Sequence, residues 1–466
     1  MASIGSGQAP RSHWRASWQA DIQGAIARVF ALFGGASDLS LVRRLAGTAF
    51  ILRIVSALLA FVAQIVLARW LGGFEFGIYV YAWTWLLLIG GIGDLGLGTA
   101  AQRFIPEYTE HKQVALLRGF ITGSRWLALI IATAVASLAI VVIAVSPLSS
   151  SQSFLPLCFA CATLPAFSVA QVQSGIARSY NWIYLGLVPT YVLRQLVLMA
   201  LMGTAYLAGL PMNAATTMAV TLVTLWSCTL GQLLVLNRRL GTVVEPGPKA
   251  YTPRAWLTTA MPISLVEGFY VLVTYCDVIV LTQFRSPGEV ATYYAAAKTM
   301  ALVAFIYFAV AQTVAHKFTE FHVAGDRKRL AEFLAHAIRI TFWPSLALIG
   351  VILVLGEPLL RMFGKDFVGG YHLMFIIAIG LLARAAVGPV ERLLNMLGER
   401  RSCAQVYAAS FLLNLMLCLL LIPHYGATGA AVASATTLVF ESASLFVVAK
   451  LRLGFHCLIF GCPRDC

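Results

Sequence analysis

Charge is what this chain has least of. Of its 466 residues only 11% are Asp, Glu, Lys or Arg, whereas 60% are hydrophobic and mean hydropathy is +0.83. So small a charged fraction could not coat a soluble globule, which excludes a free-standing soluble enzyme or binding module. The chain also lacks a GxxxxGK[ST] phosphate loop, and no stretch between its apolar runs is long enough to house an ATPase domain. Paired cysteines are missing. The nine present are scattered, and Cys158, Cys161, Cys228, Cys276 and Cys418 fall inside apolar runs, so no disulfide framework is expected. The CxxC spacing of Cys158 and Cys161 reads as two small hydrophobes in a helix. Cys457, Cys462 and Cys466 beside His456 lack zinc-finger spacing, so neither metal nor cofactor is expected. The first 40 residues hold no short apolar core with a small-residue cleavage site, so no signal-peptide processing is expected.

What the chain does have is about twelve apolar runs, each long enough to cross a bilayer. They are expected at 45–70, 77–99, 118–146, 154–178, 183–209, 213–237, 255–283, 290–315, 332–355, 370–397, 402–422 and 428–450. Basic residues exceed acidic ones by 33 to 19, which on a soluble protein would suggest nucleic acid. Their placement gives a different reason. With the N terminus in the cytoplasm, the inner segments hold about 22 Lys and Arg, including Arg43, Arg44, Arg103, Lys112, Arg118, Arg238, Arg239, Lys317 and Lys450. The outer loops hold only about four, Arg69, Arg285, Arg361 and Lys365. Both termini are therefore expected in the cytoplasm, with an even number of crossings. Trp14, Trp18, Ile22, Ile26, Val29 and Phe33 recur at helical spacing in the leader. Either an interfacial amphipathic helix or a polar leader with chance aromatics accounts for them.

The second half repeats the first about 214 positions later. Gln102-Arg103-Phe104 is echoed by His316-Lys317-Phe318, Glu75 and Tyr79 by Glu289 and Tyr293, and Arg125 by Arg339. Such a repeat is the signature of a transporter built from two lobes related by an axis along the membrane normal. The expected architecture is all-α and polytopic, with two six-helix lobes around a central cavity. Its parts are a cytoplasmic leader (1–44), an N-terminal lobe (45–237), a cytoplasmic linker (238–254), a C-terminal lobe (255–450) and a cytoplasmic tail (451–466).

The strongest local text is Leu67-Ala68-Arg69-Trp70-Leu71-Gly72-Gly73-Phe74-Glu75-Phe76-Gly77-Ile78-Tyr79, followed by Gly93-Asp94-Leu95-Gly96-Leu97-Gly98 and Arg103-Phe104-Ile105-Pro106-Glu107. With Asp277, the run Tyr293-Tyr294-Ala295-Ala296-Ala297-Lys298, and Asn395 to Gly398, it resembles the polysaccharide transporter family. That family belongs to the multidrug/oligosaccharidyl-lipid/polysaccharide exporter superfamily. The resemblance covers nearly the whole chain, with the leader and the cysteine tail as departures. It implies an inner-membrane flippase for undecaprenyl-diphosphate-linked oligosaccharides, serving O-antigen, capsule or exopolysaccharide synthesis. Its partners would be the lipid-linked glycan, membrane lipids, and a glycan polymerase with a chain-length regulator.

Intramembrane charge marks the candidate route independently. Arg53, Arg125, Arg194, Lys298, Arg339, Arg384 and Arg392 lie within expected spans. At a lipid-exposed helix centre each would cost roughly 2.5–3.5 kcal/mol, on the order of 20 kcal/mol for the set. They should therefore face a wet cavity, an acid, or the interface by snorkelling. Arg53, Ser56, Ala60 and Gln64 form one stripe, and Ser264, Glu267, Thr274 and Asp277 another. Arg53 and Glu267 are repeat-equivalents of opposite charge, either an inter-lobe gate or two separately solvated groups. Arg125 and Arg339, both basic, either embrace an anion such as the lipid-linked diphosphate or snorkel to headgroups. Lys298 and Arg194 lie deep, and Arg384 either binds substrate or pairs internally with Glu391. Pro165 and Gly388-Pro389 are expected to interrupt the fourth and tenth spans at matching places, with Pro189 and Pro262 in other spans. Asp94, Glu267, Asp277 and Glu441 are candidates for ion coupling, Asp94 competing with a turn-forming role. Two other functions predict different residues: a multidrug cation antiporter needs a cavity lined by acids, and a membrane glycan polymerase or ligase needs an outer catalytic region.

Overall fold

The computed structural model describes residues 38–323 and 326–455. Within them, the side chains of 38–51 and of several later positions, Arg53, Glu267, His316 and Lys317 among them, fall outside the description. So do the aromatic leader at 14–33 and the cysteine tail at 456–466. The chain divides at Arg53 into two compact units. The first is helical from Asp38, and all contacts given below belong to the second, Ile54–Cys466.

The described residues contain helix and turns and no strand. In order, the helices are α1 (Asp38–Gly93), α2 (Leu97–Glu110), α3 (Val114–Val145), α4 (Phe154–Ser179), α5 (Ile183–Leu187), α6 (Arg194–Leu207), α7 (Ala214–Val243) and α8 (Pro253–Phe284). There follow α9 (Pro287–Met300), α10 (Ala304–Val323), α11 (Arg327–Val354), α12 (Gly356–Phe363), α13 (Tyr371–Val387), α14 (Val390–Met396) and α15 (Arg400–Val448). All-helical backbone follows from apolar runs of this length, because in lipid every N–H and C=O must be satisfied within its own segment.

Nine stretches among the described residues are long and apolar enough to cross a membrane. Two exceed a single crossing: Ile54–Gly91 with 38 residues and Arg401–Leu453 with 53. At about 1.5 Å per residue they measure roughly 57 and 80 Å, against a hydrocarbon core of about 30 Å. Each bends at a glycine of positive φ, Gly72 (75°) in α1 and Gly426 (57°) in α15. These bends fall where the sequence places the outer turns between spans one and two and between spans eleven and twelve.

The prolines behave differently from one another. The tenth span is broken at Gly388, whose φ of 66° and ψ of −154° separate α13 from α14. Contrary to expectation, Pro165 does not interrupt its span: α4 runs unbroken from Phe154 to Ser179. Side chains of α7 support the backbone on both flanks of that proline, Trp226 Nε1 donating to the Ala162 carbonyl (3.3 Å) and Thr229 Oγ1 to the Ala166 carbonyl (3.2 Å). Borrowed donors of this kind let a membrane helix tolerate proline. At Pro189 the missing N–H is absorbed by a π-turn, Val188–Leu193, between α5 and α6, closed by the Arg194 N–H on the Pro189 carbonyl.

Packing reproduces the repeat. Phe104 and Phe318, 214 positions apart, are 5% and 0% exposed and sit in two separate apolar clusters. Phe104 meets Phe120, which in turn meets Trp256 edge-on, and Phe318 meets Phe333 edge-on at 5.7 Å between ring centroids. The two halves approach backbone to backbone at glycines. A Cβ at Gly77 would lie 1.8 Å from the Pro287 carbonyl oxygen, and one at Gly96 would lie 2.7 Å from that of Ala260.

Candidate functional site

Arg194 enters from the first half, at the first turn of α6 just past the π-turn. Its guanidinium lies 5.4 Å from the centre of the Trp83 ring. Lys298 enters from the second half, in the last turn of α9, with Nζ 5.0 Å from the Tyr294 ring and 5.5 Å from the Tyr275 ring. Two half-buried cations, one from each half, thus lie against rings, Arg194 against Trp83 and Lys298 against Tyr275 and Tyr294, where ring faces partly replace lost hydration. Neither cation forms an ion pair with a described carboxylate.

Arg384 is placed otherwise. It lies 4.7 Å over the Tyr307 ring and 3.9 Å from Glu441, while the Tyr307 hydroxyl donates to Glu391 (3.3 Å). The residue facing Arg384 is therefore Glu441 of α15, and Glu391 joins through Tyr307, an internal network within the second half. Asp277, 8% exposed, accepts the Tyr293 hydroxyl, the Ser434 hydroxyl (3.0 Å) and the Val278 N–H (2.7 Å), tying α8, α9 and α15 together. Asp94 accepts the N–H groups of Gly96 and Gly98, both at 3.1 Å, and so holds the left-handed turn at Leu95 (φ 49°) and Gly96 (φ 71°) that opens α2. Arg125 donates to Asn237 Oδ1 (2.7 Å) in a groove between α3 and α7, whereas its repeat-equivalent Arg339 is exposed on α11. The side chains of Arg53 and Glu267 lie outside the description. Arg392 is half-buried on α14.

Two glutamates took no part in the sequence reading except as echoes. Glu75 accepts the N–H of Ala214 at the start of α7 (2.8 Å), and Glu289 accepts the N–H of Ala427 just past the Gly426 bend (2.7 Å). Acceptor and donor both shift by the repeat, 75 to 289 and 214 to 427. Each carboxylate covers an N–H that a helix start leaves without a partner in its own helix. The signal for it was the Glu75/Glu289 echo itself, but the distant donor is visible only in three dimensions.

Other solved structures share this fold. The lipid II flippase MurJ in an inward closed conformation matches with a TM-score of 0.68 at 16% identity, covering 86% of this chain and 87% of that one. An inward-facing multidrug resistance MATE family transporter of the MOP superfamily matches at 0.71 with 14% identity, over 87% of this chain and 98% of that one. The probable low-salt glycan biosynthesis flippase Agl15 of Haloferax volcanii is 24% identical over 178 residues; the match spans 37% of this chain and 36% of that relative, about a third of its length. A MatE family model matches residues 262–420. The model of a family described as polysaccharide biosynthesis protein matches residues 44–316, more than half of the chain. This is a multi-pass membrane protein of the MOP-superfamily fold, and it belongs to the polysaccharide biosynthesis protein family.

Proposed function

We propose that the chain is a flippase that moves polyprenyl-diphosphate-linked oligosaccharide repeat units from the inner to the outer leaflet of the cell membrane by alternating access. The carrying observation is that Arg194 and Lys298, one from each half, each lie against aromatic rings with no carboxylate ion pair among the described residues. A diphosphate supplies the charge these two cations call for, and the surrounding rings suit the faces of sugars. The head group would pass between residues 45–237 and 255–450, rocking as two six-helix lobes about the linker 238–254, while the polyprenyl tail stays in lipid. In this reading the chain makes twelve crossings with both termini cytoplasmic. Asp277 and Glu441 would be the groups through which an ion gradient biases the two states. A polymerase would draw off the product on the outer side.

A cation antiporter of the multidrug type would need acids where Arg194 and Lys298 stand. The test is replacement of each by Gln, with lipid-linked glycan measured in the inner leaflet of cells and in vesicles containing the purified variants. Translocation is expected to fall by about tenfold or more for either variant, as for loss of a charge-assisted contact. Undiminished translocation by both would end the assignment.

A further inference from the structure

The groove that holds Arg125 is a second cationic site, distinct from the pair formed by Arg194 and Lys298. It encloses about 670 Å³ between α3 and α7 and is closed at one end by residues 244–249. Arg118, Arg125 and Lys249 line it, with Glu245 as its acidic member. The end wall is fixed in place. Arg118 Nε donates to the Glu245 carbonyl (2.5 Å), the Ala250 N–H donates to the Ala115 carbonyl (2.9 Å), and a Cβ at Gly119 would strike the Ala250 carbonyl oxygen at 1.7 Å. Arg125 spends only one of its donors, Nη1 to Asn237; its Nε and Nη2 are buried with no hydrogen-bond partner among the described residues. Buried guanidinium donors left in this state call for an acceptor. A phosphate presents coplanar oxygens that match the fork of an arginine.

Deeper along the same two helices the surface turns apolar. Trp126, next to Arg125, is 59% exposed, and Ile130 on α3 and Leu230 and Leu234 on α7 are 61%, 50% and 62% exposed. Cations at the mouth and exposed aliphatic surface beyond them, with an amphipathic tryptophan between, fit an amphiphile and not a free anion. Arg339 occupies the equivalent place in the second half, but it is exposed. We infer that the groove binds the phosphate of an anionic phospholipid headgroup from the leaflet facing the basic end of the bundle, with Arg125 as its principal contact and Arg118 and Lys249 beside it. This inference needs the membrane-spanning fold but not the identity of the transported substrate.

The full-length protein in detergent, examined by native mass spectrometry, gives the test. It would be titrated with phosphatidylglycerol, with phosphatidylcholine of the same acyl chains, and with inorganic phosphate. The wild type is expected to retain phosphatidylglycerol about tenfold more tightly than phosphatidylcholine, Arg125→Gln to lose about tenfold of that affinity, and Lys365→Gln, at the opposite end of the bundle, to lose none. Equal retention of both lipids by the wild type, or full retention by Arg125→Gln, would overturn the site. Displacement of the lipid by millimolar inorganic phosphate would replace a lipid site with a free-anion site and overturn it equally. Should Arg125→Gln fail to fold, Lys249→Gln on the exposed wall decides the matter: a weakened preference for phosphatidylglycerol supports the site, and an unchanged one refutes it.

Discussion

The two halves of the molecule keep the same scaffold and differ in their charges. Glu75 and Glu289 close equivalent helix starts, Phe104 and Phe318 sit in corresponding clusters, and Tyr79 and Tyr293 occupy corresponding buried positions. Step by about 214 from five other charged groups, however, and the echo disappears. Lys298 corresponds to Thr84, Arg384 to Ala170, Glu441 to Ser227, Asp277 to Ala63, and Arg194 to Ala408. Packing demands are the same in both halves, because each must satisfy its backbone in lipid and fill its own core. Charges carry no such demand and are costly at that depth, so those present in one half alone mark where the molecule does something other than fold.

The comparison can be broken first at Glu441, which faces the guanidinium of Arg384 with only 3% of its surface exposed. Glu441→Leu is expected to destabilise the protein by about 2 kcal/mol, since it removes the carboxylate facing a largely buried cation, while Ser227→Ala at the matching place stays within about 0.5 kcal/mol. Thermal unfolding in detergent checks both. Next comes the backbone. Gly388→Ala puts a side chain at φ 66° within 2.9 Å of Ile338 and is expected to cost about 2–3 kcal/mol, whereas Pro165→Ala in the unbroken α4 changes stability by under about 1 kcal/mol. Equal effects at 388 and 165 would mean that the two spans are interrupted alike after all.

Smaller effects separate the two glutamates. In the first half α7 has a second cap, the Asn213 side chain accepting the Thr216 N–H (2.8 Å), so Glu75→Ala should cost about 1 kcal/mol. At the equivalent place the second half has Gly426, which provides no side chain. There Glu289 stands alone on the Ala427 N–H, and Glu289→Ala should cost about 2 kcal/mol. The reverse order in chemical or thermal unfolding would show that the bend in α15 holds itself. Smallest of all, Arg339→Gln on the exposed flank of α11 should change translocation by less than about twofold, in contrast to Lys298→Gln.

Most of the scaffold was legible because apolar length and the repeat are written in linear order. The expected third, fourth and sixth spans lie within α3, α4 and α7, with ends differing by a few residues. Where the reading failed, the deciding atoms lie far apart in sequence. Nothing near Pro165 announces that Trp226 and Thr229 will support its helix. The ion pair of Arg384 with Glu441 joins residues 57 positions apart, so the nearer Glu391 stood in for it. Among the candidate cations, residue type and depth were readable, but not what each of them meets. The π-turn at Pro189 sets where Arg194 meets Trp83, and the end of α9 sets where Lys298 meets Tyr275 and Tyr294.

The account stands or falls on whether water reaches Arg194 and Lys298. In a cysteine-free background, single cysteines at positions 194 and 298 should react with a membrane-impermeant thiol reagent, and lipid-linked glycan should slow the reaction at both. If neither position is labelled from either face of the membrane under any transport condition, the two cations border no aqueous route and the proposed passage between the halves is wrong.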